Sequence, residues 1–251
     1  MIKRKKTDIV CILVICLSLA CHFVMYALYR TRLDEKQLIV RGDPMLIVLW
    51  VCVAVAAVLI IAAEYSGRKL SHYQQAFERS FQSVMGHGLA AACILFTAHM
   101  NSVRFEYKEI LEKIWVLSGW VSGVLLLWAA WSKLRGKTPF YGIYCVCSVF
   151  FAFHLIVNYQ NWCANPQLTD YVFSFLGAAA MMLFAYQQAA FCIDRGNSRQ
   201  LRITGLLAAL FCLPSIWVEE EVILYLGCYI WAVTGLSKPQ PLGKKNSEGI
   251  Q

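Results

Sequence analysis

Eight apolar stretches separated by short polar segments constrain the fold of this 251-residue chain more than any other feature. A helix that crosses the hydrocarbon core of a bilayer uses about 20 apolar residues. The stretches cover residues 9–29, 45–63, 81–100, 114–131, 139–158, 171–192, 203–218 and 222–236. The chain is 59% hydrophobic and 15% charged, against about 45–50% and 25% in soluble domains. This pattern predicts an all-α integral membrane protein, a bundle of about eight transmembrane helices.

The last two stretches are the shortest, and Glu219, Glu220 and Glu221 separate them. They can be two short spans, or a hairpin that enters the membrane only part-way. Both arrangements leave the ends of residues 203–236 on the same side. Residues 17–21 resemble a lipoprotein cleavage site, but the first stretch continues well past them, and we therefore expect an uncleaved span rather than a signal peptide.

Lysine and arginine are enriched in the cytoplasmic loops of membrane proteins. If the N-terminus is cytoplasmic, 16 of the 23 Lys and Arg residues fall in inner segments, spread evenly over five of them. This bias predicts that both termini are inside. No basic block exceeds four residues, so the net charge of +8 indicates topology and not a nucleic-acid partner.

We expect one transmembrane helical domain over residues 1–236, followed by a disordered cytoplasmic tail over 237–251 that contains Pro239, Pro241 and Gly243. Almost no chain is left for a soluble catalytic domain. The sequence contains no P-loop, H-E-x-x-H, G-x-S-x-G or dinucleotide-binding glycine pattern. These absences favour a non-enzymatic protein.

Polar side chains within membrane spans are costly and often mark functional sites. No Asp, Glu, Lys or Arg lies deep within a predicted span, so histidines and amides are the candidates. They fall into two groups by depth. An outer group contains His22, His99, Asn101, His154 and Asn158, and an inner polar group contains His87, Gln187 and Gln188.

The loop after the fifth stretch extends the outer group. Residues 158–171 are dense in amides and aromatic rings and contain no Lys or Arg, a composition that suits small polar ligands. The sequence therefore predicts an outer ligand-binding site made of His154, Asn158, Asn161, Trp162 and Asn165, with His22 and His99 from neighbouring helices. The alternative for the loop is a rigid turn that ends in a helix N-cap at Thr169 or Asp170. Glu219–Glu221 can supply negative charge for a cation, or form a solvated turn.

Two other functions stay open. His22, His99 and His154 could hold a metal or haem in a membrane redox protein, and otherwise no cofactor is predicted. The chain could also be a structural subunit or a homodimer, with the G-x-x-x-G pattern Gly119–Gly123 as its contact. The partners expected from sequence are therefore the lipid bilayer, a small-molecule ligand or another protein.

Residues 158–171, 183–191 and 196–199, which include Gly196-Asn197-Ser198-Arg199, resemble a group of multi-pass membrane proteins from clostridia and related gut bacteria. The resemblance implies a bacterial cytoplasmic membrane and no particular activity. Taken together, the sequence favours a multi-pass membrane protein that binds a small ligand on its outer side, in transport, in sensing or as a subunit of a complex.

Overall fold

The computed structural model describes residues 2–31, 43–65, 71–73, 80–103, 109–162, 171–217 and 221–236. These residues form eight helices and no strand. The helices are α1 (Ile2–Thr31), α2 (Pro44–Tyr65), α3 (Phe81–Ser102), α4 (Ile110–Leu134), α5 (Tyr141–Trp162), α6 (Val172–Cys192), α7 (Ser198–Ser215) and α8 (Val222–Gly235). The predicted tail 237–251 lies outside the described residues.

The helices α1 to α6 are long and apolar enough to cross a membrane. Each coincides with one of the first six apolar stretches, which confirms the prediction of an all-helical chain suited to a membrane bundle. The seventh stretch forms an 18-residue helix and the eighth a 14-residue helix, so both are the shortest, as expected.

Several helices extend past the apolar stretches that predicted them. The helix α4 continues to Leu134 and so includes Lys133. The helix α7 begins at Ser198, where the Asn197 side chain accepts a hydrogen bond from the Arg199 backbone N–H at 3.2 Å. Hydropathy marks only the part of a helix that suits lipid, whereas backbone hydrogen bonding continues into the polar interface.

The order of packing follows the chain from α3 to α7, with each helix against the next. The helix α8 packs on α3 and α7 and closes this group. The hairpin of α1 and α2 contacts the other side of α7. The helix α7 is therefore the connection between the hairpin and the remaining helices, which explains why most of its residues are buried.

Polar contacts along α7 hold the α1–α2 hairpin. Arg202 Nη2 lies 2.9 Å from Glu64 Oε2, and both side chains are buried. Burial raises the pKa of the Glu64 carboxyl, and the positive charge of Arg202 opposes this shift. Farther along the helix, the Ser18 hydroxyl donates to the Ala209 carbonyl at 2.7 Å.

Small residues let other helices approach closely. A Cβ atom on Gly86 would lie 1.7 Å from Thr234 Oγ1, so the α3 backbone at Gly86 packs directly against the Thr234 side chain of α8. Gly119 and Gly123 are buried, with Ala98 and Leu95 of α3 beside them. The G-x-x-x-G pattern therefore packs within the chain, and a protein partner would bind another surface.

Candidate functional site: two buried histidine clusters

The alternation of helix direction sorts the polar side chains to opposite ends of the bundle. We call the end at which α1 begins the inner end and the other the outer end. The helices α3, α4, α5, α6 and α8 all contribute to a histidine-centred cluster at each end. The outer cluster consists of Asn101, Trp115, His154, Asn158, Ser174, Glu221 and Tyr225, and the inner cluster of Ser83, His87, Lys133, Tyr144, Gln188 and Trp231.

His154 is the centre of the outer cluster and is completely buried. Its Nε2 lies 3.0 Å from the Tyr225 hydroxyl oxygen, and that hydroxyl donates to the Ser174 carbonyl at 3.3 Å. A phenol has one proton. When Tyr225 gives this proton to Ser174, a protonated His154 Nε2 donates to the Tyr225 oxygen, and when Nε2 carries no proton, Tyr225 donates to it.

The other ring nitrogen of His154, Nδ1, lies near both an amide donor and a carboxylate acceptor. Asn158 Nδ2 lies 3.2 Å from Nδ1 and 3.1 Å from Nε2, and it can donate to whichever of the two carries no proton. Glu221 Oε2 lies 3.5 Å from Nδ1 and pairs with it when His154 is protonated. Glu221 is held in turn by Asn101, whose amide donates to Oε1 at 3.4 Å.

An aromatic wall borders the outer cluster. The Trp115 ring centroid lies 5.5 Å from that of His154. Trp115 is buried, and its indole N–H has no hydrogen-bond partner among the residues that the structure describes. Within the same ranges, the buried Ser174 hydroxyl also has no partner. Buried polar groups normally have partners, so the outer cluster has hydrogen-bonding capacity that its own residues do not use.

His87 is the centre of the inner cluster and is also completely buried. Its Nδ1 lies 2.7 Å from the Ser83 carbonyl, an acceptor, so Nδ1 carries a proton. Its Nε2 is approached by Lys133 Nζ at 3.0 Å and the Tyr144 hydroxyl at 3.1 Å. Gln188 Oε1 lies 3.3 Å from the same nitrogen.

A continuous series of ring contacts connects the two clusters. From His154 it runs through Phe150, Phe151 and Trp231 to His87, with centroid separations of 6.4, 5.1, 6.5 and 5.7 Å. All five side chains are buried. The polar ends are therefore separated by an aromatic layer within the same group of helices.

The structure brings His154 and Asn158 together among the residues predicted for the outer site. Asn161 and Trp162 belong to α5, but their side chains lie outside the described part of the chain, as does the whole of Asn165. The exposed His99 packs edge-on against Trp120, with centroids 6.2 Å apart.

His22 has a structural position at the α1–α7 contact. Its Nδ1 lies 3.0 Å from the Leu213 carbonyl and 3.1 Å from the Trp217 indole nitrogen. One ring nitrogen can donate to the carbonyl or accept from the indole, but not both. Leu213 is in the last turn of α7, where backbone carbonyls have no partner within the helix, so His22 can cap this helix end.

The predicted metal or haem site would need His22, His99 and His154 to converge. Each contacts different partners, as described above. Within the described ranges, no group of three or more His, Cys, Asp or Glu side chains could hold a metal ion. The redox hypothesis stays a prediction.

Of the predicted inner group, His87 and Gln188 are in contact, whereas Gln187 donates to Gln200 at 3.1 Å on the exposed side of α6. Sequence reasoning missed Lys133, Tyr144, Trp231 and Tyr225. Lys133 lies just past the predicted apolar stretch 114–131, so hydropathy alone does not include it. The aromatic residues resemble ordinary core residues until the fold places them beside histidines.

Comparisons with known proteins add no assignment. No protein family, curated protein or solved structure matches the chain. The resemblance to the clostridial membrane proteins therefore stays a prediction, and the argument for function depends on the geometry of the two clusters.

Proposed function

We propose that this chain is a non-enzymatic multi-pass protein of a bacterial cytoplasmic membrane that binds a small polar ligand from the outer side. The observation that carries the proposal is the outer cluster itself. It joins a buried histidine, a carboxylate, an amide and a tyrosine from helices that are distant in sequence.

The chemistry of the outer cluster favours a ligand with a protonated amine. Glu221 supplies a negative charge next to His154, and the Trp115 ring lies beside the same histidine. Carboxylates and aromatic faces together bind ammonium groups well, since both are attracted to positive charge. An amine that pairs with Glu221 would supply the positive charge that a neutral His154 does not.

The proposed orientation has both termini inside and eight helices across the membrane. The distribution of Lys and Arg supports it. The antiparallel pair α7 and α8 supports it as well, since the ends of this pair face the same two sides as the neighbouring long helices. In this orientation the outer cluster lies near the external surface and the inner cluster near the cytoplasm.

The test is to purify the protein in mild detergent and to identify co-purifying small molecules by mass spectrometry. We compare the wild type with His154→Ala and Glu221→Gln. His99→Ala is the matched control, because this histidine lies near the same end but outside the cluster. An absorbance spectrum and metal analysis of the same samples test the redox alternative.

We expect a small amine in the wild type and in His99→Ala, and its loss from the two cluster variants while all four proteins elute as folded species. The same compound in all four proteins, or none in the wild type, would reject the proposal. A haem band or stoichiometric metal that disappears in His154→Ala would replace it with the redox function.

A further inference from the structure

A groove on the surface of the bundle lies between α3 and α4 at the inner end. Its volume is about 300 Å³, at the lower end of the range for ligand pockets. The lining is apolar and includes Met85, Gly88 and Leu89 of α3 and Leu127, Trp131 and Leu134 of α4. Apart from Gly88, these side chains are exposed. Both helices are long and apolar enough to cross a membrane, so in the proposed orientation the groove opens toward the hydrocarbon of the bilayer.

The groove is present because α3 and α4 meet closely at one level and leave space at the next. A Cβ added to Gly123 of α4 would lie 2.5 Å from the Leu95 side chain of α3. About two turns nearer the inner end of α3, a Cβ added to Gly88 would meet no atom of the described residues within 4 Å. The missing side chain at Gly88 therefore leaves a space in which an apolar chain would gain van der Waals contacts.

A positive charge lies at the inner end of this groove. The guanidinium carbon of Arg135 lies 4.6 Å from the centroid of the Trp131 ring, which lines the groove. Lys133 is directed to the inner cluster instead, where its Nζ lies 3.3 Å from Ser83 Oγ and 3.0 Å from His87 Nε2. Arg135 is exposed, and a guanidinium stacked on an aromatic ring can still bind a phosphate through N–H groups in its own plane.

The turn after α4 holds this charge in a defined position. Gly136 has a φ of 72°, a conformation that glycine adopts readily. The Gly136 N–H donates to the Lys133 carbonyl at 2.9 Å, and the Lys137 N–H donates to the Ser132 carbonyl at 2.9 Å. This is the Schellman pattern that ends many helices. The apolar groove therefore leads to a hydrogen-bonded turn with exposed cations, Arg135 and Lys137, on both sides of its glycine.

We propose that the groove binds an anionic phospholipid of the inner leaflet, with one acyl chain between α3 and α4 and the phosphate at Arg135. The acyl chain matches the apolar lining, and the net negative charge of the headgroup matches the basic turn. The proposal rests on the membrane location given under the proposed function, but it does not depend on the ligand of the outer cluster.

The test measures the melting temperature of the purified protein in mild detergent during titration with dioleoylphosphatidylglycerol or dioleoylphosphatidylcholine. The two lipids have the same acyl chains and differ in headgroup charge. We expect a saturable rise of roughly 5 °C with phosphatidylglycerol at about 100 times its Kd. Phosphatidylcholine should bind about five-fold more weakly, because its headgroup has no net charge. Glycerol phosphate, which has no acyl chain, should give no rise.

Two substitutions at one position connect the effect to the groove. Gly88→Leu fills the space between the helices, and we expect it to abolish the rise with both lipids. Gly88→Ala is the matched control, because it adds only one methyl group and should keep the rise. Both variants should fold, since leucine and alanine favour a helix more than glycine does.

A pair of arginine variants tests the headgroup contact. Arg135→Gln should weaken the binding of phosphatidylglycerol about five-fold and remove its advantage over phosphatidylcholine. Arg30→Gln is the matched control, because Arg30 is also exposed and lies over an aromatic ring, that of Tyr26, but at the outer end. This control should keep the preference of the wild type.

The proposal is overturned by equal lipid-dependent rises in the wild type and Gly88→Leu, since the lipid would then bind elsewhere. A rise with glycerol phosphate alone would also overturn it, because the site would then recognise a free phosphate. A dimer of the wild type that Gly88→Leu abolishes would assign the groove to a second copy of the chain instead. The amine expected at the outer cluster is measured separately, so either proposal can fail without the other.

Discussion

The two ends of the helical bundle use the same residue type in opposite surroundings. At the outer end, His154 lies 3.5 Å from the Glu221 carboxylate. At the inner end, His87 lies 3.0 Å from the Lys133 ammonium. The same five helices build both clusters, so the difference arises from which side chains those helices place beside each histidine.

This difference shows that one residue type can have neighbours of opposite charge at the two ends of the same helices. A carboxylate stabilises a positive charge, whether on the imidazole or on a ligand, and an ammonium favours a neutral imidazole and a negative ligand. The aromatic layer from Phe150 to Trp231 keeps the two charges apart. The bundle therefore contains two buried histidines, one beside a carboxylate and one beside an amine.

The largest expected effect comes from breaking the buried ion pair between Arg202 and Glu64 at the inner end. Arg202→Met removes the cation that contacts the buried Glu64 carboxylate, which should destabilise the protein by about 3–5 kcal/mol. Thermal unfolding in detergent measures the loss. The double variant Glu64→Gln with Arg202→Met should recover most of it, because no charge then remains buried. A double variant as unstable as Arg202→Met would contradict this explanation.

A smaller effect compares the helix packing at the two ends. Gly86→Ala at the inner end should cost about 1–3 kcal/mol, because its Cβ would overlap Thr234. Gly119→Ala, nearer the outer end, should cost less, since the added Cβ would lie 3.1 Å from its nearest neighbour, the Phe150 ring. Gly88→Ala is the control, because a Cβ there has no neighbour within 4 Å. Equal melting temperatures for Gly86→Ala and Gly88→Ala would show that α3 and α8 are less closely packed.

The smallest effect compares the two tyrosines that contact the histidines. Tyr225→Phe removes the hydroxyl that lies between His154 and the Ser174 carbonyl, and we expect a loss of about 1 kcal/mol, typical of strong hydrogen bonds between membrane helices. Tyr144→Phe should cost less, because Lys133 still donates to His87. Melting temperatures of both variants test which substitution costs more stability, and a larger loss for Tyr144→Phe would contradict this prediction.

The sequence predicted most of the fold because apolar length is a local property. Each of the eight apolar stretches coincides with one helix, and even the short last pair was identified. The helix ends were predicted less accurately, since the fourth stretch ends at residue 131 whereas α4 continues to Leu134 and includes Lys133. The site was predicted in part: His154 and Asn158 are one turn apart on one helix, so their proximity follows from local geometry.

The other side chains that contact His154 and His87 could not be identified from the sequence. Tyr225 lies 71 residues from His154 and Lys133 lies 46 residues from His87, and no local pattern indicates that either pair meets. The depth of His22 in the first apolar stretch predicts an outer-site residue. Because α1 packs on α2 and α7, the fold places His22 at the end of α7 instead.

The sequence by itself determined that this chain forms apolar helices suited to a membrane, because the cost of exposing polar backbone to lipid acts on each segment separately. Only the tertiary structure decided which histidine has a carboxylate beside it and which an ammonium. That choice depends on how the helices pack, and small residues such as Gly86 and Gly119 let them approach closely.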